Sequence, residues 1–260
     1  MPAQDQSIKQ ALAFEKQRQQ GLLTGDVGAV LASYQNQQVF LPDTNNGRFW
    51  DERFQAEDLE QNFNYQFPLE QWRVEQVLQL LDKKKSVLNL GVGSGRLEAR
   101  LLRQLPADQY LGTDITNKRL KLLQKKWPNY KFVKADLLKL PLADASFEQV
   151  CLLEVLEHIR PDKTFKVLAE IQRVLKPAGQ LLISVPLNEG LETMLPDNPN
   201  SHLRLYSPEL LQFELEQAGF RVKKVYLASA FAKHFKIKHL INQLFKLRQA
   251  NNCLVIAQKV

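Results

Sequence analysis

No stretch of this 260-residue chain approaches the roughly 18 to 20 consecutive apolar residues that cross a bilayer, and its first residues, MPAQDQSIKQ, lack the apolar core of a secretory leader. The sequence therefore predicts a cytoplasmic protein. Cysteine is scarce: Cys151 and Cys253 are the only two, each inside an apolar strand-like run (VCLLE and NNCLVIAQK) with no metal-ligand spacing around it. Buried free thiols in a reducing compartment follow, and no metal is expected. Internal repeats are absent, and the only compositional bias is a Gln-rich start. At 44% hydrophobic and 24% charged residues, the composition excludes wholesale disorder. The excess of 35 basic over 28 acidic residues leaves a modest net charge of +7. Its clusters, DKKKS, KRLKLLQKKW and KHFKIKHLINQLFKLR, read as solvated helix faces before they read as nucleic-acid or membrane contacts.

What is present is an alternation. Residues 1–70 contain two helix-like stretches, SIKQALAFEKQRQQGLL and VGAVLASYQ, then a loop, and are predicted to form a helical N-terminal extension. From residue 71 to 260, helical patterns alternate with seven short apolar runs: SVLNL, YLGTDI, YKFVKAD, EQVCLLE, QLLISVP, FRVKKVYLA and NCLVIAQKV. Strands separated by helices argue for an α/β domain, a mostly parallel sheet with helices on both faces. Helix signals agree. PDKTFKVLAEIQRVLKPAG should stop at Pro177 and Gly179, and SPELLQFELEQAGF should start with Ser207 as N-cap and end at Gly219.

The stretch VLNLGVGSGRLEARLL (87–102) places three glycines between the first strand and a helix. A triphosphate loop needs Gly-Lys-Ser/Thr, but Arg96 and Leu97 follow Gly95. A dinucleotide site needs Gly-x-Gly-x-x-Gly, and the third position is occupied by Arg96. Gly91, Gly93 and Gly95 follow Gly-x-Gly-x-Gly instead. In open α/β sheets ligands sit at the carboxyl ends of the strands. The second strand candidate ends in Asp114, about 20 residues past the loop, where a carboxylate can accept from both ribose hydroxyls; Asp136, past the third, can take an adenine amino group. A glycine loop and two acids at successive strand ends describe a pocket for one adenosine. Asp136 also reads as the cap of the turn that follows it, and Asp114 as an acid at a helix N-terminus.

With these residues the chain resembles the class I S-adenosylmethionine-dependent methyltransferases, in particular small-molecule enzymes with EVLEHI and VLKPAGQLLISVP signatures. The resemblance covers roughly residues 70 to 260. It implies a Rossmann-like seven-stranded, mostly parallel sheet in which two strands are added after five parallel ones and the last strand is antiparallel, and S-adenosylmethionine as cofactor. By position, Gly91, Gly93 and Gly95 would let the backbone approach the methionine part and ribose; Asp114 would hold the ribose, with Ile115 against an adenine face. Asp136 would accept from the adenine amino group and the Leu137 amide would serve a ring nitrogen, while Leu153 and Glu154 would line the sulfonium and the acceptor entrance. Asn89 stands where the family carries an acid, and Glu154 is the candidate to supply the missing charge.

Methyl transfer from a sulfonium depends mainly on alignment, so no catalytic signature is obligatory. His158, beside Glu157 in EVLEHIRP, falls on the acceptor side and is the candidate base. His202, Arg204 and Tyr206 border the same side by resemblance, and Phe49, Trp50, Phe63, Tyr65 and Phe67 are lid candidates. The sequence predicts methyl transfer to oxygen, nitrogen or carbon of a small molecule. The alternatives are RNA or protein acceptors, or a non-catalytic cofactor-binding module. Residues 230–250 form an amphipathic pattern, Ile237, Leu240, Ile241, Leu244 and Leu247, accompanied by Lys233, Lys236, His239, Lys246 and Arg248. That stripe packs on the domain or a second subunit, or it rests on an anionic membrane as a peripheral contact.

Overall fold

The computed structural model describes residues 2–35, 46–53, 67–187, 202–230, 235–245 and 248–260. Seven strands form one sheet: β1 (Val87–Leu90), β2 (Tyr110–Asp114), β3 (Lys131–Lys134), β4 (Phe147–Leu153), β5 (Leu175–Pro186), β6 (Phe220–Ala228) and β7 (Asn252–Lys259). Their order is β3-β2-β1-β4-β5-β7-β6. β1 to β5 pair in parallel, and β7 is antiparallel to both β5 and β6. β6 therefore points the same way as β1 to β5 and β7 alone is reversed, which is the antiparallel last strand that the resemblance implies. The order turns back on itself between β1 and β4, from which the chain crosses in opposite directions, to β2 and to β5, and this opens a crevice at the strand carboxyl ends.

The helices are α1 (Pro2–Thr24), α2 (Val27–Gln35), α3 (Gly47–Arg53), α4 (Pro68–Leu80), α5 (Glu98–Leu101), α6 (Asn117–Lys126), α7 (Thr164–Val174), α8 (Pro208–Gln217) and α9 (Phe235–Phe245). Alternate strand residues face opposite layers. Val150 and Leu152 join a core with Val167, Leu168 and Ile171 of α7 and Leu210 and Leu211 of α8. Cys151 joins the other, with Trp72, Val74 and Val77 of α4. Helices thus cover both faces. α7 stops at Val174, earlier than Pro177 and Gly179 suggest, because Leu175 already pairs with Phe147 of β4. Ser207 caps α8 as predicted, its hydroxyl accepting from the Leu210 amide at 3.2 Å.

The N-terminal helices are attached by buried charge. Arg204 is wholly buried. Its guanidinium donates to Thr164 Oγ1 and Tyr206 Oη, both at 2.7 Å, and to Glu214 Oε1 on α8. Tyr34 of α2 donates to the same Glu214 oxygen at 2.5 Å, and Glu15 of α1 lies 3.8 Å from Arg204 Nε while pairing with Arg18. Two guanidiniums and two carboxylates balance, which lets the cluster persist away from water. Burial and the Glu214 carboxylate push the Tyr34 hydroxyl far above the ordinary tyrosine range.

α9 is oriented against its pattern. His239, read above as part of the basic face, is buried against Trp72 of α4 with ring centroids 5.6 Å apart, and burial lowers its pKa, so it carries no charge near neutrality. Ile237, Leu240, Ile241 and Leu244 instead face solvent, at 40–70% exposure. Lys233, Lys246, Leu247 and the Lys236 side chain lie outside the described residues, as do Phe63 and Tyr65.

Two measurements check this account. Arg204→Leu leaves Glu214 buried without its cation and is expected to cost about 3–5 kcal/mol in urea unfolding. Cys151 and Cys253 sit on strands separated by β5, roughly 9–10 Å apart, beyond disulfide reach. Non-reducing mass spectrometry should find both as thiols, which burial has also made unreactive, raising Cys253 to about 12.

Candidate active site

At the carboxyl ends of β1, β2 and β4 lies a cavity of about 250 Å³. Asn89, Gly91, Gly93, Asp114, Ile115, Asp136, Leu137, Leu153, Glu154 and His158 all line it. Gly95 is not on the wall. Its φ is +75°, and an added Cβ would lie 2.7 Å from Leu123 Cδ2 and 3.0 Å from the Trp127 ring, so this glycine lets the loop lie close on α6 and its end. Gly91 has φ +77° and faces Val155 equally closely, with 2.6 Å from an added Cβ to Val155 Cγ2. The Gly91 and Val92 amides both donate to Thr113 O, at 2.8 and 2.9 Å, tying the loop to β2.

Asp114 combines both roles read from sequence. Its Oδ1 accepts from the Thr116 amide at 3.0 Å and hydroxyl at 2.8 Å, which fixes the start of α6; Oδ2 accepts from the Gly93 amide at 3.0 Å. A carboxylate oxygen accepts about two hydrogen bonds, so Oδ2 retains capacity for a ribose hydroxyl. Asp136 is divided similarly: Oδ1 accepts from the Leu138 amide at 2.9 Å, capping the turn, and the side chain remains exposed at the cavity wall.

Asn89 is 3% exposed, and its Nδ2 donates to Glu98 Oε1 at 2.6 Å. Tyr110 donates to the same oxygen. The acid nearest the substituted position is therefore Glu98, which sequence reading missed, whereas Glu154 is engaged elsewhere. Burial pushes the Glu98 carboxyl above the ordinary range, against the pull of the Tyr110 and Asn89 hydrogen bonds. Asn89 Oδ1 is buried without a hydrogen-bond partner.

Glu154 ends β4 in the left-handed region, φ 54°, a costly conformation for a non-glycine residue that its neighbours over-determine. Its Oε1 accepts from Ser184 Oγ at 2.8 Å and Asn252 Nδ2 at 2.9 Å, and its Oε2 pairs with Arg73 at 3.0 Å. Arg73 and Glu70, on α4, continue to Arg96 of the glycine loop, which pairs with Glu70. These α4 residues were not legible as site residues because EQWRVEQV reads as an ordinary amphipathic helix.

Among the described residues of the N-terminal segment, α3 alone reaches the cavity. Trp50 lines it, packing edge-on to His158 at 5.0 Å, and Asp51 accepts from the Lys118 amide at 3.2 Å. His158 in turn packs on His202, 4.9 Å away. Arg204 and Tyr206 belong to the buried cluster that attaches α1 and α2, away from the wall.

These features define an open, doubly wound α/β domain with a nucleotide-sized crevice at its switch point. Residues 87–179 match the family model described as "Methyltransferase domain". Over 143 residues the chain is 32% identical to a "Probable S-adenosylmethionine-dependent methyltransferase" of Mycolicibacterium smegmatis, covering 54% of this chain and 53% of that protein. It is 37% identical over 112 residues to "Phthiotriol/phenolphthiotriol dimycocerosates methyltransferase 1" of Mycobacterium ulcerans, covering 42% and 41%. The fold matches a SAM-dependent methyltransferase structure from Archaeoglobus fulgidus at TM-score 0.58 and 21% identity, over 79% of this chain and 100% of that one. The chain spans about half the length of the curated relatives it matches. Residues 87–179 thus carry a methyltransferase domain, on a fold shared with S-adenosylmethionine-dependent methyltransferases.

The Glu98 environment yields a pH signature. A carboxyl whose folded pKa is raised binds a proton more tightly in the native state, so its stabilising effect is complete below the unfolded value of about 4.3 and is lost as pH rises through the folded value. Glu98→Gln should flatten the fall of Tm with rising pH, and parallel Tm–pH curves for the two proteins would contradict the assignment.

Proposed function

We propose that this chain binds S-adenosylmethionine and transfers its methyl group to an oxygen, nitrogen or carbon atom of a small molecule. The observation that carries the reading is the convergence of Gly93, Asp114 and Asp136, from three successive strand ends, on one cavity. Asp114 Oδ2 holds a ribose hydroxyl, Asp136 and the Leu137 amide meet the adenine, and Ile115 packs on its face. The guanidiniums of Arg73 and Arg96 suit the methionine carboxylate, and the orphaned Asn89 Oδ1 suits an ammonium donor. When bound, the cofactor supplies a methyl group activated on a positively charged sulfur. The chain's own contribution is alignment: the rigid end of β4 at Leu153 and Glu154 sets the acceptor entrance, and Trp50 excludes water over it.

A nucleic-acid acceptor is disfavoured by charge. The wall holds four carboxylates (Glu70, Asp114, Asp136, Glu154) against three guanidiniums (Arg73, Arg96, Arg119), so positive charge does not predominate at the cavity. The Mycobacterium ulcerans relative, named for phthiotriol and phenolphthiotriol dimycocerosates, supports an acceptor that is neither nucleic acid nor protein.

A peripheral membrane contact is the partner reading that α9 favours. Its apolar residues point outward while its histidine points in, and residues 230–250 contain five Lys or Arg and no acid. That combination suits an anionic bilayer surface. No described helix is long and apolar enough to cross a membrane.

Calorimetry should detect S-adenosylhomocysteine binding and no NAD binding. Asp114→Ala is expected to weaken it by about 1.5–3 kcal/mol, roughly 10- to 150-fold; an unchanged affinity would remove Asp114 from the site. Co-sedimentation with phosphatidylglycerol vesicles should be lost in Leu240→Asp/Leu244→Asp, and absence of wild-type binding at low salt would leave α9 without a membrane role.

A further inference from the structure

We propose that Glu157, His158 and His202 form a divalent-cation site at the acceptor end of the pocket. Each offers one ligand atom, and these atoms all lie within 4.8 Å of one another. Two imidazoles and one carboxylate form a donor set suited to zinc and to neighbouring first-row ions such as manganese and iron. Glu157 Oε1 lies 3.9 Å from His158 Nε2, longer than a hydrogen bond, so the two donors are near neighbours without being bonded to each other.

The backbone is built to hold the three together. Glu157 and His158 share a single 3₁₀ turn, Leu156–His158, closed by the His158 amide on Val155 O at 3.0 Å and the Ile159 amide on Leu156 O at 3.1 Å. The Leu203 amide donates to Glu157 O at 2.8 Å, which brings the chain carrying His202 alongside that turn. One residue further, Arg204 is locked by Thr164, Tyr206 and Glu214. Glu157 and His202 are buried, while His158 lines the cavity. The donors are thus protected behind and open toward the space where an acceptor would stand.

The consequence for chemistry rests on the methyl-transfer reading. An ion here acts as a Lewis acid toward an acceptor hydroxyl. The hydroxyl loses its proton to solvent, the oxygen attacks the methyl carbon as the carbon–sulfur bond breaks, and the sulfur keeps the electron pair as a neutral thioether. His158 is then a ligand and not the free base that its position in the sequence suggests, and hydroxyl acceptors are favoured over carbon acceptors.

The full chain, stripped with a chelator, is titrated with Co²⁺ by visible absorption and with Zn²⁺ by calorimetry, with S-adenosylhomocysteine affinity measured in parallel. One ion per chain is expected, with the visible bands of cobalt bound to nitrogen and oxygen. His202→Ala and Glu157→Gln should each lose at least tenfold in metal affinity while S-adenosylhomocysteine affinity is retained; that retention also shows the variants are folded. His158→Gln, closer to the surface, provides a third variant with the same expected metal loss. Wild-type protein that binds S-adenosylhomocysteine but no stoichiometric metal overturns the site, as does His202→Ala binding metal like wild type. Metal bound without S-adenosylhomocysteine affinity supports the site and overturns the methyl-transfer reading.

Discussion

The arrangement around Arg204 is the constraint on which the acceptor side of the molecule depends. A guanidinium without solvent is tolerable only when its charge is answered, and here the answers come from α1, α2, α7, α8 and the segment leading into α8. Because these partners come from distant parts of the chain, satisfying one charge fixes the positions of several elements relative to one another. The first two N-terminal helices are therefore part of the domain's packing, and among the described N-terminal residues α3 alone reaches the cavity. The same locked segment sets His202 beside the turn after β4, so a structural charge cluster determines what chemistry the mouth of the pocket can offer.

On the cofactor side the governing feature is sharing. Asp114 and Asp136 both accept hydrogen bonds that build local structure and still face the cavity, so the groups that shape the pocket are also those proposed to read an adenosine. The replaced acid at Asn89 follows the same economy. Its partner Glu98 is held beside it by Tyr110, and desolvation favours the neutral form. Beside them, the ion pairs of Arg73, Glu154, Glu70 and Arg96 line the same cavity.

α9 shows how tertiary contacts can reverse a pattern. A helix with one apolar stripe ordinarily buries it. Here Trp72 accepts the opposite side through His239, leaving the stripe in solvent. The periodicity was legible in the residues; which face would be covered was not, because that depends on what α4 presents.

All seven strands, the helices between them and the strand ends that carry the site were determined by local information: alternating burial, capping residues and a glycine spacing that excluded two cofactor classes. Those signals act within a few residues of themselves, which is why Asn89, Asp114, Asp136 and Glu154 were identifiable from the sequence. Gly95 was assigned to the pocket because glycine spacing does not reveal what a backbone is approaching, and Leu123 and Trp127 are known to face it only once the chain is folded. The direction of β6, the roles of Arg73 and Glu98, the burial of Arg204 and the meeting of Glu157 with His202 were decided by tertiary structure alone. Each depends on a partner far away in sequence, and the energy of a buried charge or close contact is set by that partner's position, which no local pattern encodes.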